Sequence, residues 1–438
     1  MTNRILGLLL ISVILLIIDL YIYKAIRSLK PNWTNRQKNT FSIIWWGYSI
    51  LLILGVFAGI FLNIRLAIRA VVMVAFFLTA ISKLFFLPFL FTDDIRRAII
   101  WIKRKLTVSK ISNPATQQTS SKIPRSEFLL KAGVLIAAVP LASLSYGMVS
   151  SAYDYRVKRK TLYLPNLPKS FDGITLGQIS DIHSGSFYNP KAVLGGVELL
   201  LAQKPDLIFF TGDLVNNIAS EMRDYQDIFS KVKAPLGVFS ILGNHDYGDY
   251  YFGKEPSPAK AKSLADLKIT HKNMGWDLLL NENRRLKIGN DDIAIIGIEN
   301  WGAGRFAKYG NMAKAVKGTD DAAVKLLLSH DPSHWRAQVL PDYPQIDVVF
   351  SGHTHGMQFG VVAEKFQWSP VQYIYSEWAG LYREQHQQLY VNVGYGFLGY
   401  PGRVGILPEI TIFELRRGNL LSSLPTGRQA ECNDGSVT

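Results

Sequence analysis

The stretch DVVFSGHTHGMQFG (residues 347–360) decides how the second half of this 438-residue chain is read. An apolar run stops at Gly352, and His353 and His355 follow one residue apart. A short continuous apolar run, without polar alternation, marks a strand covered on both faces, as in layered α/β architectures. In an extended segment alternate side chains leave on the same side, so the two imidazoles are expected to project together from the strand end.

The arrangement recurs upstream. GQISDIHSG (177–185) ends a strand with Asp181 and His183; FFTGDLVNN (209–217) ends one with Asp213; SILGNHDYG (240–248) ends one with Asn244, His245 and Asp246; LLLSHDPSHW (326–335) ends one with His330. Further apolar runs, such as IAIIGIE, QLYVNVG and ITIFEL, alternate with helical stretches, among them KAVLGGVELLLAQK and SPAKAKSLADLKITHKNMG. One histidine or one Gly-Asp pair after a strand is ordinary turn chemistry. Five separated segments that each bring a metal-type side chain to a strand end point instead to one shared rim, because ligand sites in α/β folds lie beyond the carboxyl ends of strands.

The donors are imidazole, carboxylate and amide oxygen without thiolate, a set that suits Mn, Fe or Zn in a nitrogen and oxygen site. Asp181, His183, Asp213, Asn244, His330, His353 and His355 are too many for one ion with an open position. Two divalent ions about 3.5 to 4 Å apart, sharing one carboxylate, accommodate them. His271, His334 and His386 lack a strand-end context and are read as non-ligands.

The first third is different. Residues 5–23, 40–62, 70–91 and 132–149 are apolar over about the length that crosses a hydrocarbon core. Asp19 and Lys83 lie near span ends, where snorkelling or local pairing explains them. Much of the +14 formal charge sits between the spans. Five basic residues follow the first span, two the second, and nine fall between residues 96 and 131, which places the first and third connections in the cytoplasm and the large C-terminal region outside. Arg125, Phe128 and Leu129 before the fourth span are similar to an internal twin-arginine export signal, although Ser126 stands where a second arginine would be. No recognised nucleic-acid module is present, and the single cysteine, Cys432, excludes an intrachain disulfide.

DIH, GDLV, GNHD, SHDP and GHTH, in that order over about residues 172–415, resemble the calcineurin-like metallophosphoesterase superfamily. The chain looks most like its membrane-anchored bacterial branch, which includes YkuE-type phosphoesterases and whose relatives include UDP-diacylglucosamine pyrophosphohydrolases. The resemblance implies a four-layer αββα sandwich over residues 154–418; the apolar spans, which lie outside it, make residues 1–153 a membrane region of about four helices, and the polar composition of 419–438 reads as a disordered tail. It also implies that Asp181, His183 and His355 hold one ion, that Asn244, His330 and His353 hold the other, and that Asp213 bridges them. Each imidazole of HTH then reaches a different ion, and a hydroxide between the ions attacks phosphorus. His245 is placed to protonate the leaving group.

One departure stands out. Many superfamily members carry a second acidic residue three positions after the bridging aspartate, where it orients the catalytic histidine; here that position is Asn216, whose amide brings no charge. Asp246 is the alternative orienting partner. The arginine usual after that position in Ser/Thr protein phosphatases is also missing, which argues against a phosphoprotein substrate. Arg305 and Arg403 lie in glycine-rich connections where a guanidinium could meet phosphate, and a surface or packing role is the simpler reading. The aromatic groups DYGDYYF (246–252) and EWAGLY (377–382) either fill core, line an acyl-chain groove or dip toward the bilayer.

The expectation is a multi-pass inner-membrane protein with an extracytoplasmic dimetal domain. It hydrolyses a phosphomonoester, phosphodiester or pyrophosphate bond in a phosphorylated small molecule, such as a nucleotide sugar, or in a lipid-linked substrate, with no nucleic-acid partner and the oligomeric state open. A non-catalytic metal-binding scaffold or sensor on a membrane anchor is the competing class, which a missing ligand would favour. A transporter with a regulatory hydrolase is the third, disfavoured by sparse charge inside the spans.

Overall fold

The computed structural model describes residues 2–30, 32–62, 66–108, 124–363 and 366–418; the expected disordered tail lies outside them. Two compact units result, Met1–Tyr146 and Gly147–Thr438.

Among the described residues the first unit holds four helices, α1 (Thr2–Ser28), α2 (Asn35–Phe61), α3 (Leu66–Val108) and α4 (Glu127–Tyr146). Each is long and apolar enough to cross a membrane, and the apolar stretch of the last runs on through a π-helical turn to Ser151. Thr34 and Gln37 form a reciprocal capping box that starts α2. Asp19 and Lys83 pair at 2.6 Å with both side chains largely buried, the local pairing expected for them. Helix α3 continues well past residue 91, because nothing after Pro88 breaks it and Asp93 and Asp94 pair with Arg96 and Arg97 one turn on. Arg96, Arg97, Lys103, Arg104 and Lys105 therefore stand on a helical extension and not in a loop. Arg125 pairs with Asp94 at 3.1 Å, and the Ser126 amide donates to Asp93 at 2.9 Å, so these two residues fasten the start of α4.

Among the described residues the second unit carries fourteen strands: β1 (Arg156–Leu164), β2 (Thr175–Ile179), β3 (Leu207–Phe210), β4 (Val238–Ser240), β5 (Asp277–Leu278), β6 (Glu282–Ile288), β7 (Asp291–Gly297), β8 (Lys325–Leu328), β9 (Val348–Ser351), β10 (Val361–Ala363), β11 (Phe366–Trp368), β12 (Gly380–Glu384), β13 (Gln387–Val391) and β14 (Glu409–Arg417). Twelve form two six-stranded mixed sheets, in the orders β1-β14-β2-β3-β4-β5 and β12-β13-β9-β8-β7-β6; β10 and β11 form a separate antiparallel ribbon. Within the sheets, β2 to β5 run parallel, as do β7, β8, β9 and β13.

Strand periodicity builds the layers. Leu176, Phe209, Leu326, Leu328, Val348 and Phe350 face between the sheets, while Ile208 and Phe210 face outward onto the helices Pro190–Leu201 and Pro258–Met274. Ile296, Leu327 and Val349 likewise pack outward against Trp335 and Val339. With both faces of each central strand covered, continuous apolar runs are required, and the result is an αββα sandwich. Strand β1 was not foreseen, since RVKRK has the composition of a solvated segment; it forms at the sheet edge, pairing only with β14.

Candidate metal centre

The expected site residues all stand on loops that leave the C-terminal ends of parallel strands: Asp181 and His183 after β2, Asp213 after β3, Asn244 and His245 after β4, His330 after β8, His353 and His355 after β9. The two sheets are tied at this rim, where Gln178 donates to the Ser351 carbonyl at 3.0 Å and the His353 amide donates to the Asp181 carboxylate at 3.0 Å.

Local backbone conformation aims the side chains. Asp181, His183, Asp213, His353 and His355 all have φ between 48° and 75°, the left-handed region that L-residues seldom occupy. Such strain costs about 1 kcal/mol or more per residue, and it clusters at sites where surrounding structure enforces it. The HTH segment is therefore not extended as expected: His353 and His355 each occupy a left-handed kink with right-handed Thr354 between them. Glycine is needed where loops cross, since a Cβ on Gly243 would collide with the Asp213 carboxylate, and one on Gly352 with the Ser180 hydroxyl and the Asp181 carboxylate.

Two donor groups result. One ligand atom each from Asp181, His183 and His355 lie within 4.8 Å of one another, and the same holds for Asp213, His330 and His353. Asp213 Oδ2 joins the groups, 3.1 Å from His330 Nε2 and 3.6 Å from His183 Nε2. Second partners fix the rings: His330 Nδ1–H donates to the Thr211 carbonyl at 2.7 Å, and His353 Nε2 meets the Tyr375 hydroxyl at 2.7 Å while its Nδ1 lies 3.3 Å from His330 Nε2. His183 Nε2, His355 Nε2 and Asn244 Oδ1 are buried without a hydrogen-bond partner. Buried polar atoms are almost always satisfied, so these lone pairs fit a divalent cation.

For three of the four imidazoles the electrostatics agree with that fit. Burial lowers the pKa of His183 to about 3 and of His353 to about 4, and holds His355 well below the ordinary range, so these rings are neutral donors at pH 7. Burial works against charge on His330 too, but Asp213 and Asp181 outweigh it and raise its pKa to about 10. Burial lifts the Asp181 carboxyl to about 6, partly opposed by His330.

His245 stands beside these groups and is partly open to solvent. Its amide donates to Asp213 Oδ1 at 2.8 Å, and its ring stacks on Tyr250 with centroids 4.4 Å apart. The orienting partner is neither expected side chain. His245 Nδ1 lies 2.7 Å from the backbone carbonyl of Asn216, whose own amide group bonds Ser186 Oγ at 2.9 Å. Asp246 is spent on backbone, accepting the amides of Gly243, Asp213, Leu214 and Val215 at 2.8 to 3.2 Å and so stapling two site loops together. Sequence reasoning gave no place at the metal centre to Tyr375, which sits in a loop, or to Tyr250, which sits on the short helix Asp249–Phe252 within the aromatic group 246–252, because neither abuts an apolar run.

The remaining candidates separate cleanly. Arg403 is fully buried and donates to the Val393 and Gly394 carbonyls at 2.8 and 3.1 Å, a packing role. Arg305 is exposed and lines a cavity of about 200 Å³ beside Asn244, together with Tyr250, Lys254, Asn300 and Tyr309. His271 and His334 are buried against Ser240 and Ser329, and His386 meets the Pro344 carbonyl at the surface; none joins either donor group. Trp378 and Ala379 of the EWAGLY group are core, whereas Tyr250 and Tyr251 of DYGDYYF are exposed.

Comparison with known proteins bears on these features. Residues 174–357 match the family described as calcineurin-like phosphoesterase, and residues 3–152 match a probable calcineurin-like phosphoesterase transmembrane domain. The chain is 29% identical over 292 residues to a transmembrane protein with metallophosphoesterase domain of Danio rerio, an alignment that covers 65% of this chain and 62% of that one, less than two thirds of the relative. It is 29% identical over 311 residues to the uncharacterized metallophosphoesterase YkuE of Bacillus subtilis, covering 68% of this chain and 99% of that one. It is 30% identical over 282 residues to the UDP-2,3-diacylglucosamine pyrophosphatase LpxG of Chlamydia trachomatis, covering 53% and 81%. With four apolar helices ahead of a sandwich that gathers two groups of metal-type donors, the chain is a multi-pass membrane protein and belongs to the calcineurin-like phosphoesterases, metal-dependent hydrolases of phosphoric esters.

Proposed function

We propose that this chain is a membrane-anchored dinuclear hydrolase that cleaves a diphosphate bond in a lipid-linked substrate on the outer side of the inner membrane. The observation that carries the reading is the pair of donor groups joined through Asp213 Oδ2. In it Asp181, His183 and His355 would hold one ion and Asn244, His330 and His353 the second, with Asp213 serving both, and Mn, Fe or Zn would match the donors. Bound there, two divalent cations supply Lewis acidity to the phosphoryl oxygens and to an attacking water.

The chain's own groups do the rest. The Asn216 carbonyl holds the Nδ1 proton of His245, so Nε2 is the nitrogen free to deliver a proton to the leaving oxygen. Tyr250 stacking and the amide bond to Asp213 keep that ring in register with the donor groups. The cavity beside Asn244 offers Lys254 and Arg305 to the part of the substrate beyond the scissile phosphorus. Two cationic side chains there suit a second phosphate better than a neutral alcohol, which favours a diphosphate over a simple monoester. The LpxG relative, whose name states a diacylated nucleotide-sugar substrate, supports the same class.

The test is metal analysis of the detergent-purified full chain together with hydrolysis of a phosphoester panel. Two ions per chain and turnover of diphosphates are expected, with Asp213→Asn reducing the metal content and activity by at least about a hundredfold. A chain that binds two ions yet hydrolyses nothing would favour the scaffold reading. Sidedness is read by reporter fusions after Met148, for which a cytoplasmic signal contradicts the proposed topology.

A further inference from the structure

Just downstream of the two histidines the chain exposes an uncovered apolar surface. Phe359, Val361, Val362, Phe366, Tyr373 and Ile374 are 39% to 77% exposed. They lie on and around the ribbon β10–β11, which belongs to neither sheet and has apolar side chains on both faces, since the neighbours Val361 and Val362 are both exposed. An isolated two-stranded ribbon is marginal in water, and contiguous exposed apolar patches on soluble surfaces mark sites of contact with something else.

Its attachments say what that something is. On one side the ribbon is fastened to the donor groups: Ser369 Oγ donates to the Gly356 carbonyl at 2.7 Å, and Tyr375, directly after the patch, meets His353 Nε2 at 2.7 Å. On the other side it is fastened to the end of the last apolar span. The Gly360 amide donates to the Val404 carbonyl at 2.9 Å and the Val404 amide to the Gln358 carbonyl at 2.7 Å, while Gln358 Nε2 donates to the carbonyls of Tyr400 and Gly402. The same 400–404 loop holds Gly147, whose carbonyl accepts from the Arg403 amide at 3.3 Å, and a Cβ on Gly147 would collide with that loop. Gly147–Ser151 closes the apolar span that begins at Glu127, so one loop holds both the end of that span and the base of the ribbon. Aromatic and apolar side chains at that level behave as interfacial anchors.

We infer that the β10–β11 ribbon beds into the lipid surface next to the metal centre, so that a phosphoester in a lipid headgroup reaches His245 and the donor groups without leaving the membrane. The substrate class this adds rests on the hydrolase reading; the contact with lipid does not.

The test uses the full chain in vesicles of phosphatidylcholine with a minor share of phosphatidylglycerol. In a Cys432→Ser background, Val362→Cys or Phe366→Cys carries an environment-sensitive fluorophore, and Ile269→Cys, equally exposed but on the helix Pro258–Met274, serves as control. Blue-shifted emission quenched by nitroxide-bearing lipids is expected at Val362 and Phe366 but not at Ile269. Solvent-like emission at both ribbon positions overturns the inference. Blue-shifted emission that lipid nitroxides do not quench also overturns it, by assigning the surface to a second copy of the chain.

Activity provides a second readout. Val362→Asp with Phe366→Asp should lower hydrolysis of vesicle-borne CDP-diacylglycerol by at least about tenfold and leave water-soluble bis-p-nitrophenyl phosphate within about twofold. Equal loss on both substrates contradicts the surface role. Lipid quenching in a wild-type chain that hydrolyses neither substrate sinks the catalytic reading alone, whereas good hydrolysis with water-exposed labels sinks only the present inference.

Discussion

At the level of single residues, a backbone carbonyl takes the place of a carboxylate behind His245. The Asn216 carbonyl holds the Nδ1 proton and orients the imidazole without placing a carboxylate charge against the ring. His245→Ala should therefore cost most where the leaving oxygen needs a proton. Turnover of alkyl phosphate diesters should fall by about a hundredfold or more, and that of p-nitrophenyl esters, whose leaving group departs as an anion, by clearly less. Equal losses across a leaving-group series would contradict the assignment of His245 as proton donor. The donor residues themselves were visible in the sequence as polar side chains abutting apolar runs. The Asn216 carbonyl was not, because every residue has one; the packing role preferred for Arg403 holds, although the backbone carbonyls that receive its guanidinium carry no mark in the sequence.

Among elements, the rim depends on loops that nearly touch. Asp246 accepts four amides from two of them, and Gly243 and Gly352 leave no room for a methyl group against Asp213 and Asp181. Gly352→Ala should push the Asp181 carboxylate out of the first donor group. The expected result is loss of about one metal ion per chain and of nearly all activity, while the thermal midpoint measured in chelator changes far less than the metal-bound one. Undiminished metal binding by that variant would show that Asp181 tolerates displacement. The central strands were legible because burial on both faces leaves an unbroken apolar run; β1, charged and at an edge, and the far end of α3, helical but polar, carry no such signature. The left-handed kinks of HTH were equally hidden, since φ has no compositional mark outside glycine.

For the molecule as a whole, acid is a specific threat. His271 and His334 are fully buried outside the donor groups, with pKa values lowered by burial to about 3 and about 4. A folded-state value below the unfolded one, about 6.5, means that the unfolded chain binds more protons in acid. The stability these residues contribute is complete above about pH 6.5 and drains away as pH falls toward 3 to 4, by about 2 kcal/mol each at pH 5. In chelator, the thermal midpoint of the detergent-solubilised chain should drop between pH 7 and pH 5, and His271→Gln should flatten part of that slope; an unchanged slope would mean that the ring gains a proton without cost. Order of synthesis adds another constraint. The first sheet places β14 between β1 and β2, yet β14 comes after all thirteen other strands in the chain. A nascent polypeptide can form helices and local hairpins early, but the gap between β1 and β2 stays open until residues 409–417 arrive. In the proposed topology, delivery across the bilayer as an extended thread, followed by closure on the far side, thus asks no finished domain to come apart.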